Sequence, residues 1–115
     1  MDTRLTVIRP EGGTPYAQVE GDVDIGSAPV LQAMLEELAG QTNEVVISFE
    51  RCTYLDSSAL NVLVSTQKAL SRQNATRFVL VIPRENRIRR IFAVSGLDEA
   101  FDVVDDLASA RIRLS

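Results

Sequence analysis

The sequence predicts an α/β fold with a mixed, mostly parallel β-sheet, and three features carry that prediction. First, the N-terminal residues read as a hairpin: two apolar-alternating strands around a turn-rich segment. Second, beyond the hairpin, short apolar runs alternate with stretches of helical periodicity, the pattern of strands joined by crossover helices. Third, Val45, Val46, Ile47, Ser48 and Phe49 form a short β-branched and aromatic run that is apolar on both faces. A strand covered by helices on both sides has this composition. The predicted order is ββαβαβαβα, an N-terminal hairpin followed by about four helices packed on the sheet, with residues 1–115 as a single domain.

Taken in order, Leu5 and Val7 mark the first strand, and Tyr16, Ala17 and Val19 the second, which is expected to end at Gly21. Pro10-Glu11-Gly12-Gly13-Thr14-Pro15 between them is rich in turn formers. Asp22 and Asp24 follow. Their spacing lacks the glycine and distal glutamate of an EF-hand loop, so calcium is a weak reading. Asp24 can instead begin the next turn and favour the dipole of the coming helix.

The first helix is expected from about Ala28 to Ala39. Ser27 is its candidate cap, Pro29 sits in its first turn, and Leu31, Met34, Leu35 and Leu38 form its apolar stripe. Gly40 fits the position after the helix end. The central strand then leads through Cys52 to Asp56-Ser57-Ser58. A second helix follows to about Gln73, with Leu60, Leu63 and Val64 at amphipathic spacing. Arg77 to Ile82 reads as a strand stopped by Pro83. A third helix covers about Asn86 to Val94, with Ile88, Ile91 and Phe92 facing inward. Ser95-Gly96 closes it with glycine in the left-handed position. Phe101 to Val104 is a short last strand. Asp105 or Asp106 can cap a final helix running through Leu107, Ile112 and Leu114.

Composition narrows the chemistry. The chain has no histidine, which removes Ser-His-Asp and Cys-His nucleophiles and every histidine metal site. Its one cysteine, Cys52, cannot close an internal disulfide and fits a reducing cytoplasm. A net charge of −4 argues against a nucleic-acid surface, and no apolar run approaches membrane-spanning length. The start of the chain lacks the apolar core of a signal peptide. No metal or cofactor is expected. Arg84, Arg87, Arg89 and Arg90 cluster around the third helix, either as a solvated face or as a meeting point for phosphate or an acidic partner.

The stretch Asp56-Ser57-Ser58 stands where a strand hands over to a helix N-terminus, the edge at which open α/β sheets bind ligands and partners. Either serine can simply cap the helix. Alternatively, the exposed serine takes a phosphate, which a helix N-terminus tolerates and which adds roughly −1.5 to −2 charges beside Asp56. Asn61, on the first turn, is either an exposed helix residue or a partner contact.

Tyr54-Leu55-Asp56-Ser57-Ser58-Ala59-Leu60 resembles the signature of STAS domains, specifically of the bacterial anti-sigma factor antagonists. Val19-Glu20-Gly21-Asp22-Val23-Asp24, Phe78-Val79-Leu80-Val81 and Ile91-Phe92-Ala93-Val94-Ser95-Gly96-Leu97 are similar to three further family segments, in order, so the resemblance spans about Leu5 to Leu107. It implies the STAS fold and a binding module rather than an enzyme. It implies that the unphosphorylated chain binds an anti-sigma factor that is also a protein serine kinase and so frees a sigma factor. Phosphorylation on Ser57, with Ser58 as runner-up, would switch binding off, and a serine phosphatase would reset it. ATP and magnesium would belong to the kinase. The partner surface it implies includes Asp22, Asp24, Asp56, Ser58, Asn61, Ser95 and Gly96. Two residues depart from the family pattern: Ala59 stands where glycine is frequent, and Asp22 where glutamate is usual.

Other functions compete with this one. A STAS module can serve as a scaffold or accessory subunit of a signalling or transporter complex, without phosphate transfer. A nucleotide sensor would use the serine turn and the arginine cluster, but no phosphate-binding glycine motif is present. A phosphate acceptor at Asp56, of the response-regulator type, would need Asp22 and Asp24 for magnesium.

Overall fold

The computed structural model describes residues 2–72 and 77–114. Five strands form one sheet: β1 (Arg4–Ile8), β2 (Tyr16–Val23), β3 (Glu44–Leu55), β4 (Arg77–Val81) and β5 (Asp102–Val104), arranged in chain order. β1 runs antiparallel to β2, and all other pairs are parallel. Five helices are present among the described residues: α1 (Ala28–Gln41), α2 (Ser57–Arg72), α3 (Arg87–Ser95), α4 (Leu97–Ala100) and α5 (Leu107–Leu114). The sequence predicted about four; α4 is a single turn following Gly96, too short to show periodicity. The expected end of the second helix at Gln73 lies outside the described residues.

Two layers of helix cover the sheet unequally. Leu31, Leu35 and Leu38 of α1, Leu63 of α2, and Ile88 and Phe92 of α3 are buried against Val45, Ile47, Phe49 and Leu80 in the main core. Phe101 meets Phe78 and Phe92 edge to face, with centroids 6.1 and 5.9 Å apart. On the opposite face a smaller cluster of Val46, Val79, Val81 and Val104 packs under Ala110 of α5. This two-sided burial explains why β3 and β4 read as continuous apolar runs.

Several boundaries and faces differ from the sequence expectations. β2 continues past Gly21 to Val23, so Asp22 is a strand residue. β3 runs on to Leu55, hidden in the sequence by the charged pair Glu50 and Arg51. α1 passes through Gly40 and ends at Gln41, where the extended Thr42 donates its N–H to the Leu38 carbonyl. The buried face of α2 is Ala59, Val62, Leu63, Thr66 and Leu70, with Leu60 and Val64 at its margins. Ile91, expected to be buried, is only partly so.

The extra length of β3 shapes the site. β4 pairs only with Glu44–Ser48, leaving the rest of β3 without a strand on that side. β2 follows β3 through two register shifts, each giving β3 an extra residue, and Gly21 at the second has φ +80°. On the unpaired side, the Asn86 amide donates to the Phe49 carbonyl at 3.0 Å and the Cys52 carbonyl at 3.2 Å. Its Oδ1 accepts the Ile88 N–H at 2.9 Å, capping α3. One side chain thus fastens the strand extension to α3.

Replacing Asn86 with alanine removes a cap and two donors to partly buried carbonyls, an expected loss of about 1–3 kcal/mol in urea unfolding. Asn86→Asp retains the cap and loses the donors. It is expected to remain clearly less stable than the parent chain; full stability in this variant would show that the bonds to β3 contribute nothing.

Candidate functional site

The paired C-terminal ends of β2 and β3 are extended by one further backbone bond, from the Asp56 N–H to the Val23 carbonyl at 3.1 Å. Asp56 also caps α2. Its Oδ1 accepts the Ala59 N–H at 3.1 Å, and its carbonyl accepts the Leu60 N–H at 3.1 Å. The sequence allowed either serine to take the capping role, and the structure gives it to Asp56. The reason is position: Asp56 is the last non-helical residue, and an N-cap side chain reaches the N–H groups two and three residues ahead.

Ser57 is therefore released from structural duty. It is exposed on the first turn of α2, and its hydroxyl has no hydrogen-bond partner among the described residues. Ser58 is partly buried, and its hydroxyl likewise has none among them. Asn61 is exposed and lies four residues after Ser57, hence on the same helix face. The Asp56 carboxylate is engaged in this cap through its Oδ1. No cluster of three or more His, Cys, Asp or Glu able to hold a metal ion occurs among the described residues.

Asp22 and Asp24 flank Val23, and so bracket the strand end that Asp56 joins. Their side chains do different work. The Thr53 hydroxyl, on the extra residue of the second register shift, donates to the Asp22 carboxylate and holds its pKa below the ordinary 3.8. The Thr3 hydroxyl donates to the Asp22 carbonyl. Asp24 instead builds the β2–α1 turn: its Oδ1 accepts the N–H groups of Gly26 at 3.0 Å and Ser27 at 3.1 Å. Ser27 occupies the N-cap position of α1, but its hydroxyl makes no bond to the helix. That hydroxyl accepts the Asp24 N–H at 3.0 Å.

Ser95 donates its hydroxyl to the Ile91 carbonyl at 2.7 Å, and Gly96, at φ +76°, ends α3. Ser95 also lines a groove of about 570 Å³ between α3 and Tyr54, two residues ahead of Asp56. Gly96 shapes the α3–α4 turn, next in the chain to Ser95 of the groove. Cys52 is buried, and burial pushes its thiol up to about 12, so it carries no thiolate at neutral pH.

Sequence reasoning did not reveal the parts played by Thr53, Asn86 and Tyr54. Thr53 needed the register shift to be known. Asn86 was legible as a helix start but not as a donor to β3. Tyr54 reads as a strand residue, yet it is 49% exposed.

An α/β domain whose central parallel strand passes directly into a helix at an exposed, uncapping serine defines the class. The sequence model of the STAS domain matches residues 9–110, and the chain belongs to that family. The anti-sigma-B factor antagonist of Bacillus subtilis is 33% identical over 88 residues, covering 74% of this chain and 76% of that protein. A crystal structure of an anti-sigma factor antagonist from Mycobacterium paratuberculosis is 25% identical with a TM-score of 0.81, covering 95% of this chain and 91% of that one. The anti-sigma factor antagonist SpoIIAA in its unphosphorylated form shares the fold, with a TM-score of 0.75 at 19% identity over 96% of each chain. Among the described residues, no helix is long and apolar enough to cross a membrane.

A carboxylate whose pKa is lowered on folding stabilises the fold above its unfolded pKa, and that contribution is lost as pH falls through the folded value. For Asp22 the window lies below about pH 3.8. Thr53→Val is expected to raise the Asp22 pKa toward 3.8 and to reduce its share of the acid-induced loss of stability. An NMR titration of the Asp22 carboxyl carbon checks this, and an unmoved midpoint would exclude Thr53 as the cause.

Proposed function

We propose that the chain is an anti-sigma factor antagonist switched by phosphorylation of Ser57. Unmodified, it binds an anti-sigma factor that is also a protein serine kinase, and the sigma factor is set free. A serine phosphatase returns the modified form to the cycle. The observation that carries this reading is the division of labour at the turn: Asp56 caps α2, and the Ser57 hydroxyl stands exposed without a partner among the described residues. The relatives' names support the coarser part, antagonism of an anti-sigma factor.

In this reading the chain is a substrate and a binding module. The kinase supplies ATP and magnesium. The Ser57 oxygen attacks the γ-phosphorus, the bond to ADP breaks, and the hydroxyl proton passes to a base of the kinase. Asp56 fixes the helix start, so the hydroxyl is presented on a rigid first turn. The added phosphate lies at a helix N-terminus, where the dipole and free N–H groups accept negative charge. It therefore leaves the fold intact and acts on the partner, whose surface must now meet the phosphate as well as Asp56 and the neighbouring Asp22, Asp24, Ser58 and Asn61. Ser95 and Gly96 complete the proposed surface on the α3 side.

Ser57→Asp is expected to weaken binding to the anti-sigma factor at least about tenfold, equivalent to about 1.4 kcal/mol, while leaving the unfolding midpoint close to that of the parent chain. Calorimetric titration beside thermal unfolding checks both. Undiminished binding by Ser57→Asp and by the phosphorylated chain would exclude the switch.

A further inference from the structure

The four arginines around α3 divide into two functional pairs. Arg84 and Arg89 both engage Asp105, at 3.1 and 2.9 Å, and Arg89 also donates to the Ile82 carbonyl at 2.6 Å. These two tie α3 and the loop before it to Asp105, ahead of α5. Arg87 and Arg90 are exposed, and neither forms an ion pair within 4 Å among the described residues, although the Arg87 charge, after the Thr53 hydrogen bond, contributes to lowering the Asp22 pKa. They lie three residues apart, hence on one helix face, and Ile91 and Val94 continue that face at the next helical spacings. The opposite face of α3 is spent on the core through Ile88 and Phe92.

Across from this second face stands Tyr54, and together they enclose the groove beside the serine turn. Val94 is 79% exposed and Tyr54 49%, and the two line the same groove, so they present apolar surface together rather than singly. The groove thus has an apolar floor and a rim of two positive charges, on a chain whose net charge is −4. Arginine suits such a rim because its planar fork pairs bidentately with carboxylates.

We propose that this groove receives an acidic segment of the protein partner, with one apolar side chain seated between Tyr54 and Val94 and its flanking Asp or Glu residues paired with Arg87 and Arg90. The inference rests on the reading that the chain binds an anti-sigma factor, and it adds the chemistry of the segment that docks. Tyr54 lies two residues before Asp56, so one partner can span the groove and Ser57 together. The apolar floor provides adhesion, while the two arginines speed encounter and select an acidic sequence.

The test compares the parent chain, the Arg87→Glu/Arg90→Glu double variant, a Lys68→Glu control on the outer side of α2, and Ser57→Asp for binding to the purified anti-sigma factor. The double variant is expected to bind at least about tenfold more weakly, chiefly through slower association, with a flatter salt dependence. Lys68→Glu is expected to stay within about twofold. Thermal unfolding verifies the fold, and Arg87→Gln/Arg90→Gln serves if the charge reversals disturb it. Parent-like binding by the arginine variants, with Ser57→Asp impaired, would overturn the groove proposal and leave the switch standing. Weakened binding by the arginine variants with Ser57→Asp unimpaired would do the reverse.

An arm independent of that partner is an amide NMR titration of the full chain with the acetylated peptide Glu-Glu-Leu-Glu-Glu at millimolar concentration. Shifts at Tyr54 and along Arg87–Ser95, absent with the lysine counterpart and in the double variant, are expected. No shift there, or equal shifts with inorganic phosphate or ATP alone, would overturn the proposal.

Discussion

The capping of α2 by Asp56 is the constraint on which the rest of the site depends. One residue closes the β2–β3 sheet with its N–H, starts the helix with its carboxylate, and receives the first helical bond at its carbonyl. With all three groups committed, the chain has little freedom between strand and helix. The serine that follows inherits a fixed position without bearing structural load. A cap substitution costs about 0.5–2 kcal/mol, so the arrangement is well defined, yet modification of Ser57 breaks none of its bonds. On the proposed reading, this separation is what would let Ser57 be modified without endangering the fold.

The strand that leads into Ser57 is itself unusual. β3 outruns β4, and its last seven residues would leave carbonyls unsatisfied on one side. Asn86 satisfies two of them and caps α3 with the same side chain. The serine turn and α3 are thus held as one body, which places the Tyr54 groove and its arginines at a fixed distance from Ser57. On the other side, two extra residues in β3 turn Thr53 onto Asp22. The local geometry comes from a few polar side chains, whereas the sheet beneath them is held by apolar burial.

The fold was largely legible in the sequence because its determinants are periodic. Val45–Phe49, the stripe of α1 and the hairpin turn each announce themselves at short range. What escaped was set at long range. The extension of β3 is carried by Glu50 and Arg51, whose charges break the apolar run and whose pairing depends on β2. Gly40 reads as a helix end but stays inside α1, since an exposed glycine is tolerated when the next turn is otherwise stable. At the site, Asp56, Ser57 and Ser58 were legible as a group. The cap was expected from one of the serines and falls instead to Asp56, because Asp and Ser can both cap and only the strand's true end decides.

The central claim is that Ser57, and not Ser58, is the hydroxyl the turn offers. Intact-mass measurement after incubation with ATP, magnesium and candidate anti-sigma kinases from the same genome tests it most directly, with Ser57→Ala and Ser58→Ala in parallel. The account predicts a gain of one phosphate in the parent chain and in Ser58→Ala, and none in Ser57→Ala. A gain that persists in Ser57→Ala and vanishes in Ser58→Ala would contradict it.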